Sequence, residues 1–434
     1  SGNFMKNKPI IIIGAGISGL TLGLALLKKN INVQIFEKEK EIEQRGAGIN
    51  ISPNGSSILY NLGLEEKINS LACKPKNIEL RNFNNGLLLA KQNLNNSCEK
   101  KFKYPFFQAQ RKDVINILFD EIKKINSEII FFGYELKEFE EKKDHVSIKF
   151  NNNDKIEGSL IIGCDGINSK VGEVLNPTVT SKFSNIIAWR GVIKMEDLSE
   201  KVRSLPPTIW MGNEKHFVHY PIGKNNLLNF IGTVRKDAWL DQSWHQFGNK
   251  EDLKKDFGNV NSTVEEIIEN IDKPNKWGLF DIKFIKNWVS RRAVIIGDAA
   301  HPMSPSYGQG GNSAMEDAII LSRLISEDNY SMTDDGCNVY NSSAFSSGEL
   351  WAQLEDLIDF ESILGWADNC FQDGEDCLSE LVSSISLSSL SSGLSDPFSS
   401  GSSSLSGASS FISGSSSSFS SSLSGASSFI SGSL

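Results

Sequence analysis

A glycine pattern near the start of the chain provides the first residues suited to binding chemistry. Gly14, Gly16 and Gly19 follow the apolar run at residues 10–13 in the spacing Gly-x-Gly-x-x-Gly. Glycines so spaced permit a tight turn, close approach of backbone to a diphosphate, and packing of the next helix on the strand. Glu37 ends the next predicted strand, where a carboxylate accepts hydrogen bonds from ribose hydroxyls. The pattern predicts a site for a dinucleotide with an unphosphorylated ribose, either FAD or NAD.

Two further loops decide between these cofactors. Residues 163–169 and 297–302 each follow a predicted buried strand, and they contain Asp165 and Asp298. Ligands gather at the carboxyl ends of strands in open α/β sheets. A dehydrogenase needs one such loop, whereas three loops around one ligand favour a long cofactor such as FAD.

Composition limits the classes of protein to which the chain can belong. With 434 residues, 39% hydrophobic and 22% charged, it is long enough for two or three domains and a sizeable core. This excludes a disulfide-stapled mini-protein, a fibre and a wholly disordered chain. All 44 lysines and arginines lie at or before Arg323, which leaves a net charge of +6 up to that residue and −15 after it. The positive excess is not gathered into basic runs, so we predict no nucleic-acid partner.

The cysteines and an uncharged apolar stretch near the start of the chain predict a cytoplasmic protein. The six cysteines contain no Cys-x-x-Cys pair and no zinc-ligand spacing, which favours reduced thiols and predicts no metal site. Residues 10–27 carry no charge and match a membrane span in length, but their glycine pattern favours the dinucleotide turn. We therefore predict no membrane span and a cytoplasmic location. The sequence leaves the oligomeric state open.

The predicted elements define an α/β architecture with two domains. Alternating strands and helices predict a Rossmann-like FAD-binding domain with a mostly parallel sheet. Strands predicted at 186–193, 216–221 and 227–234 lack intervening helices and predict an antiparallel-sheet substrate domain. The FAD-binding domain is predicted to comprise three separate segments, at 5–80, 108–180 and 286–328. The substrate domain is predicted at 181–285, with an additional excursion at 81–107.

The remaining residues differ in composition from everything before them. Residues 329–380 are acidic, and the apolar spacing at 350–364 is consistent with an amphipathic helix. Residues 381–434 are rich in serine, and a 13-residue string at 403–415 recurs at 421–433. Such a segment has too little apolar content to offset its chain entropy, so we predict a disordered Ser-rich C-terminal tail.

Several motifs together resemble those of the class A flavoprotein monooxygenases, single-component FAD-dependent aromatic hydroxylases of the salicylate, 3-hydroxybenzoate and 6-hydroxynicotinate hydroxylase type. The matching motifs are Gly-Ala-Gly-Ile-Ser-Gly at 14–19 with Glu37, Arg-Gly-Ala-Gly-Ile at 45–49, Arg111 opening a helix, Gly-Cys-Asp-Gly-Ile-Asn-Ser at 163–169 and the long motif at 297–318. The resemblance covers residues 8–325. Nothing after about residue 328 resembles the family's further helices, and we interpret residues 329–434 as foreign to it.

The resemblance implies which residues hold FAD. Glu37 would hold the adenosine ribose, and Arg111 and Asp298 would contact the phosphate and ribityl groups. The backbone from Gly308 to Asn312 would face the flavin pyrimidine edge, since a glycine loop before a helix presents N–H groups to negative charge. The full set expected at the cofactor is Gly14, Gly16, Ile17, Ser18, Gly19, Glu37, Lys38, Arg45, Gly48, Arg111, Asp165, Gly166, Asp298, Pro305, Gly308, Gly310, Gly311 and Asn312.

The resemblance also implies the reaction. NADH or NADPH, as co-substrate, would deliver hydride to FAD. Reduced flavin would capture O2 as a flavin hydroperoxide, which hydroxylates a small phenolic or hydroxylated N-heteroaromatic acid. Two alternatives stay open, namely an FAD-binding protein without turnover and a non-aromatic epoxidase or reductase of the same fold.

The expected substrate requires a base or hydrogen-bond acceptor near the ring oxygen, because a phenolate reacts more readily than a phenol. His216 and Tyr220 share one face of a predicted strand, and His219 lies on the other. This pattern resembles that of the 6-hydroxynicotinate and 3-hydroxybenzoate enzymes, which makes His216 and Tyr220 our catalytic candidates. The alternative is a satisfied strand-edge histidine with a core tyrosine. We expect His219 to be structural.

Other polar residues bear on substrate identity. Arg190 and Arg235 are candidates to pair with a substrate carboxylate, the alternative being ordinary charges at the sheet edge. Asn50 stands where relatives have His or Gln near the ring, which leaves the aromatic substrate open. By resemblance, His301 is a packing residue near the flavin and not a general base.

Overall fold

The architecture follows from a computed structural model that describes residues 8–42, 48–94, 97–224, 226–236, 246–282, 285–326, 331–333 and 336–338. Arg45 and nearly all of the acidic and Ser-rich segments lie outside the described residues. The predictions made for those segments, including the helix at 350–364 and the disordered tail, therefore stay predictions.

The helices and strands occur in the following order along the chain. The strands are β1 (Ile10–Ile13), β2 (Val33–Glu37), β3 (Gly48–Ile51), β4 (Asn77–Asn82), β5 (Leu88–Asn93), β6 (Phe107–Gln110), β7 (Ile130–Phe132), β8 (Leu136–Glu141), β9 (Val146–Phe150), β10 (Lys155–Gly158), β11 (Leu160–Gly163), β12 (Ser181–Lys194), β13 (Thr208–Gly212), β14 (Lys215–Ile222), β15 (Leu227–Arg235), β16 (Gln246–Phe247), β17 (Asn275–Ile282), β18 (Ala293–Ile295), β19 (Ser331–Thr333) and β20 (Gly336–Asn338). The helices are α1 (Ile17–Lys28), α2 (Pro53–Asn61), α3 (Glu65–Leu71), α4 (Ser97–Phe102), α5 (Arg111–Ile125), α6 (Lys170–Leu175), α7 (Glu200–Arg203), α8 (Lys250–Phe257), α9 (Ser262–Glu269) and α10 (Gly310–Ser326).

A parallel sheet forms the first layer. Among the residues that the structure describes, its order is β18-β11-β1-β2-β7, and every neighbouring pair is parallel. All four isoleucines of β1 are buried, as expected of a strand covered by helices on both faces. Helix α1 packs against α5 and α10 and is itself buried along most of its length. The expected Rossmann-like core with a parallel sheet is confirmed.

A larger, mostly antiparallel sheet forms the second layer. Among the described residues its order is β16-β17-β12-β15-β14-β13-β4-β5, and only the β4–β13 pair is parallel. One face packs on α8 and α9 through a core that includes Trp189, Phe217 and Phe257. Strand β4 crosses the predicted domain boundary at residue 80, because it pairs with β13 of this sheet.

The opposite face of this sheet carries the candidate substrate residues. Register pairs Tyr220 with Asn229 and His216 with Thr233 across β14 and β15. Arg190 pairs with Ile231, two residues from Asn229 on the same strand. Side chains two residues apart share a face, so Arg190, His216, Tyr220 and Asn229 all lie on the face away from α8 and α9. The predicted alternation of His216 and Tyr220 against His219 matches this register.

His219 lies on the helix-covered face and is fully buried. Its Nδ1 accepts a hydrogen bond from Trp210 Nε1 at 2.9 Å, and the two rings stack with centroids 5.9 Å apart. Burial, aided by the Arg81 charge, lowers the pKa of His219 to about 3. The ring therefore stays neutral and serves the core, as expected for a structural histidine.

This burial predicts a stability that depends on pH. The folded-state pKa of His219 lies below its unfolded value of about 6.5, so stability is lost as pH falls from about 6.5 towards 3. Between pH 7 and pH 5 the loss from this group is about 2 kcal/mol. His219→Gln keeps an acceptor for Trp210 without a titrating ring. The free energy of unfolding in urea is measured at pH 7 and pH 5 for both proteins. We expect its decrease between the two pH values to be about 2 kcal/mol smaller in His219→Gln than in wild type. An equal decrease in both proteins would contradict the low pKa of His219.

Candidate functional site

The glycine turn after β1 is packed too tightly for a larger residue at two positions. Gly14 has a φ of +104°, and a Cβ there would lie 2.4 Å from the Cys164 carbonyl oxygen. A Cβ at Gly19 would lie 2.0 Å from the Gly14 carbonyl oxygen. The Gly14 N–H also donates to the Phe36 carbonyl oxygen at 2.8 Å. The turn therefore brings β1, β2, β11 and α1 together.

Gly16 differs because the space beside it is open. Within the described structure, no atom outside its own chain neighbours lies within 4 Å of a Cβ built at Gly16. As the N-cap of α1, Gly16 offers no side-chain hydrogen bond to the helix. Ile17 and Ser18 have buried side chains and contribute their backbone N–H groups to this helix start. An uncapped helix N-terminus beside open space is suited to binding an anion such as a diphosphate.

Glu37 holds the turn from the end of β2. Its carboxylate accepts a hydrogen bond from the Ala15 N–H at 2.7 Å and another from the Glu39 N–H at 3.0 Å. A carboxylate has further lone pairs, so Glu37 can hold the turn and still accept a ribose hydroxyl. Lys38 is exposed beside it.

Asp165 directs its carboxylate into its own loop. One oxygen accepts from the Ser169 hydroxyl at 2.5 Å, and the other accepts from the Lys170 N–H at 2.6 Å. These bonds cap the N-terminus of α6 and shape the loop that follows β11. Burial raises the Asp165 pKa, although these bonds oppose the rise. Gly166, at a φ of +77°, borders open space, so this loop offers backbone to a ligand more readily than the Asp165 side chain.

The positive charge of Arg111 acts on the carboxyl group of Asp298. Asp298 is exposed to solvent, yet the surrounding protein raises the pKa of its carboxyl through desolvation, and Arg111 opposes this rise. Asp298 Oδ1 lies 3.6 Å from a Cβ built on Gly310, so the loop after β18 meets the start of α10 here.

The loop at 305–312 is held by side chains that sequence reasoning missed. Pro305 begins its short 3-10 turn. The Gln309 Nε2 donates to Ser52 Oγ at 2.8 Å, and Asn54 Nδ2 lies 3.5 Å from Gln309 Oε1. Asn54 also donates to Glu316 at 3.0 Å, and burial raises the pKa of Glu316 to about 7. These partners lie more than 250 positions apart in the chain, so no local pattern indicates them.

His301 packs beneath this loop. Its Nε2 lies 2.5 Å from Asp317 Oδ2, which also accepts from the Gly297 N–H at 2.8 Å. Burial lowers the pKa of His301, but the Asp317 carboxylate together with the Asp298 charge outweighs it, and the net shift is upward. The contacts suit the expected packing role, since this ring is held by an internal carboxylate.

Gly48 makes close contacts with the larger sheet. A Cβ on Gly48 would lie 2.6 Å from the Tyr220 hydroxyl and 2.9 Å from Asn229 Cγ. The Gly48 N–H donates to Asn229 Oδ1 at 3.0 Å. Strand β3 therefore meets, at Gly48, the face of the larger sheet that lies away from α8 and α9. The expected place of Gly48 at the cofactor stays a prediction.

The catalytic candidates have opposite protonation properties. Burial lowers the pKa of His216 to about 4, so its imidazole is neutral at pH 7, and its Nδ1 lies 2.8 Å from Thr233 Oγ1. Burial raises the pKa of Tyr220 to about 12 against the opposing charge of Arg190. Tyr220 therefore keeps its proton at pH 7. The Arg190 guanidinium lies 5.0 Å from the Trp277 ring centroid.

Gly297 and Gly311 approach the start of α1 from the loop after β18 and from the first turn of α10. A Cβ on Gly297 would lie 3.2 Å from Ser18 Oγ, and a Cβ on Gly311 would lie 3.7 Å from Ile17 Cδ1. Gly308 lies beside Asn50, 3.5 Å from its Nδ2 by the same measure. The loops after β1 and β18 and the start of α10 thus border one region. Within the described residues no cluster of His, Cys, Asp or Glu could hold a metal, and no helix there is long and apolar enough to cross a membrane.

Comparison with known proteins defines the class. A family model described as an FAD binding domain matches residues 7–334. A 3-amino-4-hydroxybenzoate 2-monooxygenase of Streptomyces platensis is 30% identical over 73% of this chain and 79% of its own length. A 6-hydroxynicotinate 3-monooxygenase of Pseudomonas fluorescens is 27% identical over 74% and 84%. The chain belongs to the class A FAD-dependent aromatic hydroxylase family, and it binds FAD.

Solved structures share the fold. HpxO of Klebsiella pneumoniae, in complex with FAD and uric acid, has a TM-score of 0.70 at 22% identity and covers 88% of this chain and 98% of its own. A salicylate hydroxylase in a substrate complex has a TM-score of 0.66 at 21% identity, with the same coverage. The described residues fit FAD on their own evidence, because the open space at Gly16 lies before an uncapped helix N-terminus and the charge of Arg111 acts on the exposed Asp298 carboxyl.

Two glycine variants separate folding from FAD binding. Gly16→Ala adds a methyl group to open space, so we expect the thermal stability of the FAD-free protein to stay the same. The methyl group occupies space needed by the diphosphate, and FAD affinity should fall at least tenfold in a flavin fluorescence titration. Gly19→Ala should instead destabilise the FAD-free protein, since its Cβ meets the Gly14 carbonyl at 2.0 Å. Unchanged FAD affinity in Gly16→Ala would place the diphosphate elsewhere.

Proposed function

We propose that this protein is a monooxygenase that hydroxylates a small phenolic acid or a hydroxylated N-heteroaromatic acid with NADH or NADPH and O2. The main support is that His216, Tyr220 and Arg190 share the sheet face that meets β3 at Gly48. This face puts a neutral imidazole, a protonated phenol and a guanidinium on the side of the sheet next to the FAD-binding layer. We further propose a cytoplasmic location.

FAD, when bound, supplies the redox chemistry, which is hydride acceptance and activation of O2. The protein must then orient the ring and draw the proton from its hydroxyl group. His216 can accept a hydrogen bond from that hydroxyl group, because burial keeps its imidazole neutral at pH 7. A pKa of about 4 makes it a weak base, so its role is to polarise the O–H bond. Thr233, 2.8 Å from Nδ1, steadies the ring. A more phenolate-like substrate is a stronger nucleophile toward an electrophilic oxygen.

Tyr220 and Arg190 suit a second polar group of the same substrate. Tyr220 stays protonated and can donate a hydrogen bond, and the positive charge of Arg190 acts on it. His216 and Tyr220 lie four positions apart on β14, about 13 Å between backbone positions. Arg190 pairs with Ile231, which pairs with Val218, so its backbone lies level with the middle of this stretch. We assign the carboxylate of an aromatic acid to Arg190, since a guanidinium pairs well with a carboxylate.

The test is a substrate panel. The purified protein, saturated with FAD, is mixed with NADH or NADPH and with 3-hydroxybenzoate, salicylate, 6-hydroxynicotinate or 3-amino-4-hydroxybenzoate. We expect at least one acid to accelerate NAD(P)H oxidation and to yield a product heavier by one oxygen atom in mass spectrometry. A flavin-loaded protein that none of these acids stimulates would favour an FAD-binding protein without turnover.

His216→Ala tests the proposed hydrogen-bond acceptor. We expect product formation with the active panel member to fall by about 100-fold, or NADH oxidation to release hydrogen peroxide in place of product, with FAD affinity retained. His145→Ala is the matched control, because His145 contacts Asp144 and Glu157 away from this sheet. Unchanged coupling of NADH oxidation to product in His216→Ala would remove His216 from the site.

A further inference from the structure

Strand β3 is held at both ends by fully buried asparagines. At its start, Asn229 Oδ1 accepts a hydrogen bond from the Gly48 N–H at 3.0 Å. At its end, Asn312 Oδ1 accepts from the Ser52 N–H at 3.2 Å, and Asn312 Nδ2 lies 3.2 Å from the Asn50 carbonyl oxygen. The two side chains bond backbone groups of β3 or the residue directly after it.

These asparagines come from the two functional sides of the molecule. Asn229 belongs to β15 and lies directly opposite Tyr220 on the face proposed for the substrate. Asn312 belongs to the first turn of α10 and also donates to the Gly308 carbonyl oxygen at 3.1 Å. Strand β3 therefore lies between the substrate face and the loop expected to face the flavin.

The contact at Gly48 leaves little room for movement. The Tyr220 hydroxyl and the Asn229 carboxamide both lie within 3 Å of a Cβ built on Gly48. A small displacement of β3 toward the sheet would collide with Tyr220, and a displacement away would break the Asn229 bond. The position of β3 and the position of the Tyr220 hydroxyl are thus fixed together.

Asn229 is poorly suited to a purely structural role. Its Nδ2 group is buried without a hydrogen-bond partner in the described structure. An unsatisfied buried donor costs about 1–3 kcal/mol. An apolar side chain of similar volume would avoid that cost but could not accept the Gly48 N–H. The one carboxamide atom with a hydrogen bond, Oδ1, is the atom that accepts from the Gly48 N–H of β3.

We propose that Asn229 is a positioning residue for the hydroxylation. Through the Gly48 N–H it fixes β3 and so sets the substrate face, with Tyr220, at a constant distance from the loop at 308–312. Loss of this bond would let β3 and Tyr220 shift relative to that loop, so a bound substrate would no longer be held at a fixed place. NADH oxidation would then yield hydrogen peroxide in place of hydroxylated product. This inference rests on the proposed function, because it concerns the coupling of that reaction.

The test compares three variants with the wild type. Asn229→Leu removes the acceptor and Asn229→Ser shortens it beyond reach, whereas Asn229→Asp keeps Oδ1 for the Gly48 N–H. Asn176→Ala is the control, because Asn176 is a buried asparagine that ties Asn287 by bonds of 2.8 and 3.1 Å and takes no part in the proposed site. Each protein is saturated with FAD and titrated with 3-hydroxybenzoate, 6-hydroxynicotinate and 3-amino-4-hydroxybenzoate.

Two readouts are recorded, namely the change in the flavin absorption spectrum on adding each acid and the moles of product per mole of NADH oxidised. For Asn229→Leu, or for Asn229→Ser if the leucine variant does not fold, we expect the spectral change to shrink and product per NADH to fall at least threefold. FAD affinity should stay within twofold of wild type. Asn229→Asp and Asn176→Ala should behave as wild type does.

The outcomes separate the two proposals. Wild-type coupling in Asn229→Leu or Asn229→Ser would overturn the positioning role while leaving the proposed function in place. Equal uncoupling in Asn229→Asp would also overturn it, because the Gly48 acceptor would then not be the cause. A flavin-loaded wild type that shows neither a spectral change nor a product with any of the three acids would overturn the proposed function and this inference with it.

Discussion

The close approach of backbone to backbone at the glycine turn is the constraint on which the site depends. Gly14 and Gly19 leave no space for a Cβ, and this contact allows α1 to start directly beyond β1. The helix thus begins at Gly16 with uncapped N–H groups beside open space. A helix N-terminus in that position attracts the diphosphate of a dinucleotide through both hydrogen bonds and its dipole. The remaining loops gather around that point.

Many polar side chains of the site serve to hold backbone in place. Glu37 bonds the turn, Asp165 caps α6, and Gln309 and Asn312 tie the glycine loop to the residues after β3. Side chains that are locked in this way keep loop N–H groups in fixed directions before any ligand arrives. Such preorganisation reduces the cost of binding and favours stabilisation of charge that develops during a reaction. We therefore expect the ligand to contact backbone N–H groups of these loops as well as side chains.

Local features of this molecule were accessible from the sequence, whereas long-range contacts were not. The strand, turn and helix from Ile10 to Lys28 and the alternating faces of β14 depend on neighbouring residues, and both follow from spacing alone. The bond between Gly48 and Asn229 joins residues 181 positions apart, so no local pattern indicates it. The hydrogen bond between Asn312 and Ser52 joins residues 260 positions apart, so it could not be predicted from a local pattern either. A local signal for Asp165 did exist, since Ser169 and Lys170 follow at capping distance in the chain.

Hydrogen–deuterium exchange of the protein with and without FAD tests the central claim most directly. The account predicts that FAD slows amide exchange together in the segments 14–19, 163–167, 297–301 and 308–312, because all four border one bound cofactor. Slowing confined to a single one of these segments, or no slowing in a protein that is saturated with FAD, would contradict it.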